Sequence, residues 1–161
     1  MMNRFSKMRI IVILAIVLLK LAVFPGMSQS AGDAGSLPGA DTAKVNALLQ
    51  QTREFFSSDT AKAFALSNQA KTMAQSIGFK KGEALALKNT GIVYYFQGMH
   101  IEALDFYNQS LQVFLELKDN SGIANLYSNI GVVYYDRGDD TKALENYLQS
   151  LRYSEQAGDK F

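Results

Sequence analysis

The sequence predicts an all-α fold, an α-solenoid of stacked helix-turn-helix hairpins. Three observations predict it. Residues 82–121 recur as residues 122–161 at a fixed offset of forty, with fifteen of the forty aligned positions identical, which marks a true internal repeat. Within each copy the apolar residues fall at i, i+3, i+4 and i+7, the spacing of one helix face. Each copy is also cut in two by a glycine, Gly98 or Gly138, where a helix ends and a turn follows.

In chain order, the first element is a leader. Arg4, Lys7 and Arg9 precede an unbroken apolar run over 10–19, and Pro25, Gly26 and the small residues Ser28, Ser30 and Ala31 follow. This is the layout of a signal peptide over residues 1–31, cleaved near Ser30 or Ala31. An uncleaved N-terminal anchor is the other reading. The apolar span over 10–24 contains Lys20 and falls short of the roughly 20 residues that cross a bilayer. A flexible Gly/Ser/Pro/Ala linker, residues 32–40, comes next.

Residues 41–161 form the folded domain. In residues 41–81, Val45, Leu48, Leu49, Thr52 and Phe55/Phe56 make one stripe, and Ala63, Leu66, Ala70, Met73, Ala74 and Ile77 a second. Ser57–Asp59 supplies the turn and an N-cap. This unit reads as a degenerate first repeat, with Gln51 at the Gly91 position and Ser67 at the Tyr107 position. Terminal repeats are atypical because one face has no neighbour.

In residues 82–121, Leu87, Thr90/Gly91, Tyr94 and Tyr95 form the stripe of the first helix. Met99 and His100 complete the turn. Ile101, Leu104, Tyr107/Asn108, Leu111 and Phe114/Leu115 form the stripe of the second. Residues 122–161 repeat this plan, with Ser121 and Asp140 as expected N-caps. Gly91 and Gly131 sit mid-helix, where glycine costs about 1 kcal/mol against alanine. They predict a close helix approach, with Tyr107 and Tyr147 filling the space opposite. The last helix carries Leu144, Tyr147, Leu148, Leu151 and Tyr153, one face of which a next helix would normally cover, so either that face binds something or self-associates, or the sequence is the N-terminal piece of a longer protein.

Leu87, Gly91, Tyr94, Ala103, Tyr107 and Ser110, with Tyr127, Gly131, Tyr134, Ala143, Tyr147 and Ser150 in the next copy, resemble the tetratricopeptide repeat. The forty-residue period departs from the usual thirty-four or so, and the closing proline is missing. "KNTGIVYY" and "SNIGVVYY" are similar to a longer variant of that repeat, found in exported bacterial proteins. The resemblance implies a right-handed arc with the first helix of each hairpin on the concave side, and a protein or peptide in that groove. It assigns the groove to Lys88, Asn89, Ile92, Tyr95, Asn125, Ser128, Asn129, Val132 and Tyr135. Asn89 and Asn129 carry amides that can both donate to and accept from a peptide backbone. They can equally bridge neighbouring repeats.

Little points to chemistry. There is no cysteine, which excludes thiolate metal sites, disulfides and a catalytic thiol. His100 is the one histidine and reads as an exposed turn residue. Asp136, Asp139 and Asp140 lack the spacing of a calcium loop, and capping of the next helix explains Asp139 and Asp140. Lys80-Lys81 reads as solvation of a loop. No serine sits in a nucleophile elbow. No catalytic residue, metal or cofactor is expected, and the chain is not expected to be an enzyme. Loss of the leader leaves 12 basic against 15 acidic side chains, so no nucleic-acid footprint is present. The leader predicts export to the periplasm or beyond, or an inner-membrane anchor facing the periplasm. The function expected is protein binding by a scaffold outside the cytoplasm. The alternative is the sensor portion of a bacterial membrane signalling protein.

Overall fold

The computed structural model describes residues 38–158. The expected leader, linker residues 32–37 and residues 159–161 lie outside them. Six helices follow one another: α1 (Pro38–Arg53), α2 (Thr60–Ser76), α3 (Lys80–Phe96), α4 (His100–Leu117), α5 (Asn120–Asp136) and α6 (Asp140–Ala157). They pair as α1/α2, α3/α4 and α5/α6, and each pair also packs on the next. No strand occurs among the described residues.

The helix ends differ from expectation by a few residues, each for a local reason. The first helix begins at Pro38, not Asp41. Proline is tolerated in a first turn, where the missing N–H has no helical partner. The caps are Asp59, Asp119 and Asp139, whose carboxylates accept from the N–H groups of Lys62, Gly122 and Lys142. Ser121 and Asp140 are therefore not the caps. His100 is the first residue of α4, not part of the turn, and its ring stacks on Tyr95 with centroids 5.9 Å apart.

Helix C-termini fall on a finer rhythm. Positive φ occurs at Gly78, Gly98, Lys118, Gly138 and Gly158, every twenty residues. At Gly98 the Gly98 N–H donates to Tyr95 C=O and the Met99 N–H to Tyr94 C=O. This pair of bonds is a Schellman closure. The same closure recurs at Lys118, where a side chain stands in a left-handed conformation (φ 54°) that the other four positions give to glycine.

The core runs along the stack. Ala84, Ala103, Tyr107, Leu111, Phe114, Ile123, Leu126, Ile130 and Val133 form one buried cluster. Val45, Leu49, Ala70, Ala74 and Ala86 form another, and Leu85 packs on both. Ile101 was expected on the stripe of α4 but is 73% exposed. The buried set there is Ala103, Tyr107, Ser110, Leu111 and Phe114. Ile101 lies two residues before Ala103, about 200° round the helix.

Close approach is visible at the two mid-helix glycines. A Cβ on Gly91 would stand 2.5 Å from the Tyr107 ring and 3.2 Å from the Ala103 carbonyl. On Gly131 it would stand 2.7 Å from the Tyr147 ring. At this separation Ser110 and Ser150 donate their hydroxyls to the carbonyls of Ala84 and Ala124, at 2.7 and 2.8 Å. These serines are more than small residues: each pins the second helix of a hairpin to the first.

The two glycines differ in how much their tyrosine can yield. Tyr107 is 2% exposed, whereas Tyr147 is 37% exposed and can swing outward. Gly91→Ala is expected to destabilise by about 1–3 kcal/mol through overpacking. Gly131→Ala is expected to be neutral or mildly stabilising, as the gain in helix propensity of about 1 kcal/mol is not opposed. Thermal unfolding followed by circular dichroism distinguishes them; equal losses would mean that Tyr147 is as fixed as Tyr107. By the same measurement Lys118→Gly is expected to raise stability by about 0.5–1 kcal/mol, since it removes a left-handed side chain.

Candidate peptide-binding groove

Helices α3 and α5 present side chains to the same surface at i, i+4 and i+7: Lys88, Ile92 and Tyr95 from one, Asn125, Asn129 and Val132 from the other. Helical geometry places such a set on one face. Ile92, Tyr95, Phe96, Tyr107, Asn129 and Val132 line a concavity of about 190 Å³. Four of the nine residues expected in a groove therefore meet in one hollow.

Two hydrogen bonds span α3 and α5. The Lys88 ammonium donates to the Asn125 side-chain oxygen at 3.1 Å. The Tyr95 hydroxyl donates to the Asp136 carboxylate at 2.5 Å. That bond, made to an anion, raises the Tyr95 pKa. Lys88 is half-buried, and burial first, then the positive charge of Arg53, brings it from 10.5 to about 8. It forms no ion pair among the described residues. An ammonium has three donors, and Asn125 engages one of them.

Asn89 does not belong to this surface. It is 2% exposed, and its amide donates to the Leu49 carbonyl of α1 at 3.3 Å. A buried helix carbonyl of the preceding hairpin takes the place that a peptide backbone was expected to fill. Its copy, Asn129, is half-buried and lines the hollow. Ser128 is half-buried beside it. Tyr135 is 63% exposed and lies outside the hollow. It is the copy of Tyr95, which finds Asp136 on the next first-helix.

Arg53, Asp136, Phe96 and Tyr107 join the surface without having been foreseen. Arg53 ends a helix whose repeat is degenerate, and Asp136 was read only as part of an acidic turn. The lysine pair is also more than loop solvation: Lys80 bonds Glu83 at 2.9 Å, and Lys81 bonds Asp119 at 2.7 Å. Burial works against ionisation of Asp119, but Lys81 and the Gly122 N–H outweigh it and hold its carboxyl below the usual range. The cap of α5 is thereby tied to the start of α3. Among the described residues, no group of three His, Cys, Asp or Glu could hold a metal ion. No described helix is long and apolar enough to cross a membrane.

Residues 54–116 match the family model described as tetratricopeptide repeat. Among solved structures, the chain is similar to the TPR domain of FLU from Arabidopsis, at 24% identity and a TM-score of 0.63, over 72% of this chain and 98% of that one. This likeness shows a shared fold. No curated protein matches the chain.

The low pKa of Lys88 has a signed consequence. Below pH 8 the lysine is charged in both folded and unfolded states, and the cost of burying the charge is fully present. Between pH 8 and 10.5 the folded state releases a proton that the unfolded state keeps, so the lysine's destabilising contribution shrinks as pH rises. Urea unfolding is expected to show wild type gaining stability relative to Lys88→Met across that interval. A flat difference would mean that the ammonium is fully solvated.

Proposed function

We propose that this chain, a member of the tetratricopeptide-repeat family, is a protein-interaction scaffold that binds an extended peptide segment across α3 and α5. The family is generally non-catalytic and binds protein partners. The single observation that carries the groove reading is the half-buried, cationic Lys88, with donors to spare beside an apolar hollow. A side chain carboxylate or chain-terminal carboxylate fits the Lys88 and Arg53 end. An apolar side chain of the same peptide fits between Ile92 and Val132, and the Asn129 amide can bond its backbone. Preformed hollows of this kind, with a few polar groups fixing orientation, are how small ligands and peptides are held.

We further propose that the scaffold works outside the cytoplasm, on the strength of the basic and apolar leader over residues 1–31. The sensor portion of a membrane signalling protein remains the alternative, and it keeps the same groove. The reading frame beyond Phe161 separates the two.

The test is selection of peptides from a random library on the purified protein. Enriched sequences are expected to pair an acidic group with an apolar residue. Lys88→Met and Asn129→Ala are expected to weaken the selected peptides roughly tenfold each, about 1.4 kcal/mol. Asn89→Ala is expected to lower the melting temperature and leave affinity unchanged below it. Binding indifferent to both Lys88 and Asn129 would remove this groove from the reading.

A further inference from the structure

We propose that α6 is a self-association surface that pairs two copies of this chain antiparallel, about a two-fold axis at Leu148. This goes beyond the groove, which α6 does not line. Only Ala143 of α6 is fully buried. Leu144, Tyr147, Leu148 and Leu151 stand 60, 37, 55 and 41% exposed, a continuous apolar stripe. One repeat earlier, on α4, the corresponding Tyr107 and Leu111 are 2 and 7% exposed, because α5 covers them.

A helix stacked on α6 as α5 stacks on α4 does not account for the whole stripe. Leu148 corresponds to Asn108, which is exposed even with α5 in place. Such a helix would leave Leu148 in water. An occupant lying along the stripe covers all four residues. The other end of the array does not fit it: the exposed positions of α1 include Ala43, Asn46, Ala47 and Gln50, small or polar. Head-to-tail polymers are therefore disfavoured.

Charge selects a second α6. Glu145 and Arg152 are seven residues apart, on the same flank of the stripe. Neither forms an ion pair among the described residues. In an antiparallel pair centred at mid-helix, Glu145 of each copy faces Arg152 of the other. In a parallel pair the two copies of this flank would lie on opposite sides of the seam, and neither charge would meet its counterpart. One helix pair lies at the low end of specific interfaces, below about 1,200 Å², so the dimer is weak and reversible.

The chain has no cysteine, so Leu148→Cys gives the full chain a single thiol at the proposed axis. Oxidation is expected to yield a disulfide dimer and no higher species. Gln112→Cys, exposed on α4, is expected to yield none above background, which controls for association through other segments. In the Leu148→Cys chain, Arg152→Glu or Glu145→Arg alone is expected to cut the dimer roughly tenfold. Both changes together are expected to restore it. Crosslinking at Leu148 no greater than at Gln112, or a double swap that fails to restore, would overturn the proposal. So would ladders beyond the dimer.

Discussion

The structure rests on glycine meeting an aromatic ring. Gly91 lies on Tyr107, Gly131 on Tyr147, Gly122 on Phe114 and Gly82 on Phe79. In each case the ring occupies the volume that a methyl group would need. Glycine weakens a helix locally, by about 1 kcal/mol per site. The compensation is a large flat side chain buried against backbone, which contributes dispersion and hydrophobic stabilisation of comparable or greater size. The interlock works within hairpins at Gly91 and Gly131 and between hairpins at Gly122. It therefore sets both the thickness of each unit and the step to the next.

Once the helices are that close, polar groups can reach across. Ser110 and Ser150 bond carbonyls of the facing helix. Asn89 reaches Leu49, and Lys81 reaches Asp119. The serines lock the two helices of a hairpin, and the Asn89 and Lys81 ties join hairpins, all of which would otherwise slide on apolar faces, since hydrophobic burial is non-directional. The Lys88–Asn125 and Tyr95–Asp136 bonds complete the set on the groove side. One lining residue of the hollow, Tyr95, is thus held by a bond to Asp136, and Lys88 and Asn125 are tied to each other beside it.

The repeat, its hairpins and the glycine–tyrosine contacts were legible in the sequence, because two copies forty residues apart carry the same punctuation. The groove was legible only in part. An asparagine two residues before a helix glycine looks the same whether it faces a ligand or a neighbouring helix. Burial of Asn89 is decided by Leu49, a residue of the degenerate unit whose register the repeat pattern fixes poorly. Lys81 looked like a loop residue because its acidic partner, Asp119, lies in a distant turn, and Lys80 because the helix in which it meets Glu83 starts before the expected boundary. Periodicity also misplaced Ile101: spacing by three and four allows two neighbouring stripes on α4, and only packing against α3 and α5 chooses between them. The twenty-residue rhythm of left-handed turns was hidden by Lys118, which holds a glycine's conformation without a glycine's identity.

Burial along the array is uneven. Between α3 and α5 the chain is covered on both sides, while α6, among the described residues, is held by α5 through Ala143, Ser150 and the Tyr127–Tyr153 stack. In a linear array each unit draws its protection from its immediate neighbours. Amide hydrogens of α6 should therefore exchange with solvent soonest, and those of α3 last, with unravelling proceeding inward from the C-terminal side. Whatever seats itself on Leu144 and Leu151 would then govern how long the whole stack resists proteolysis.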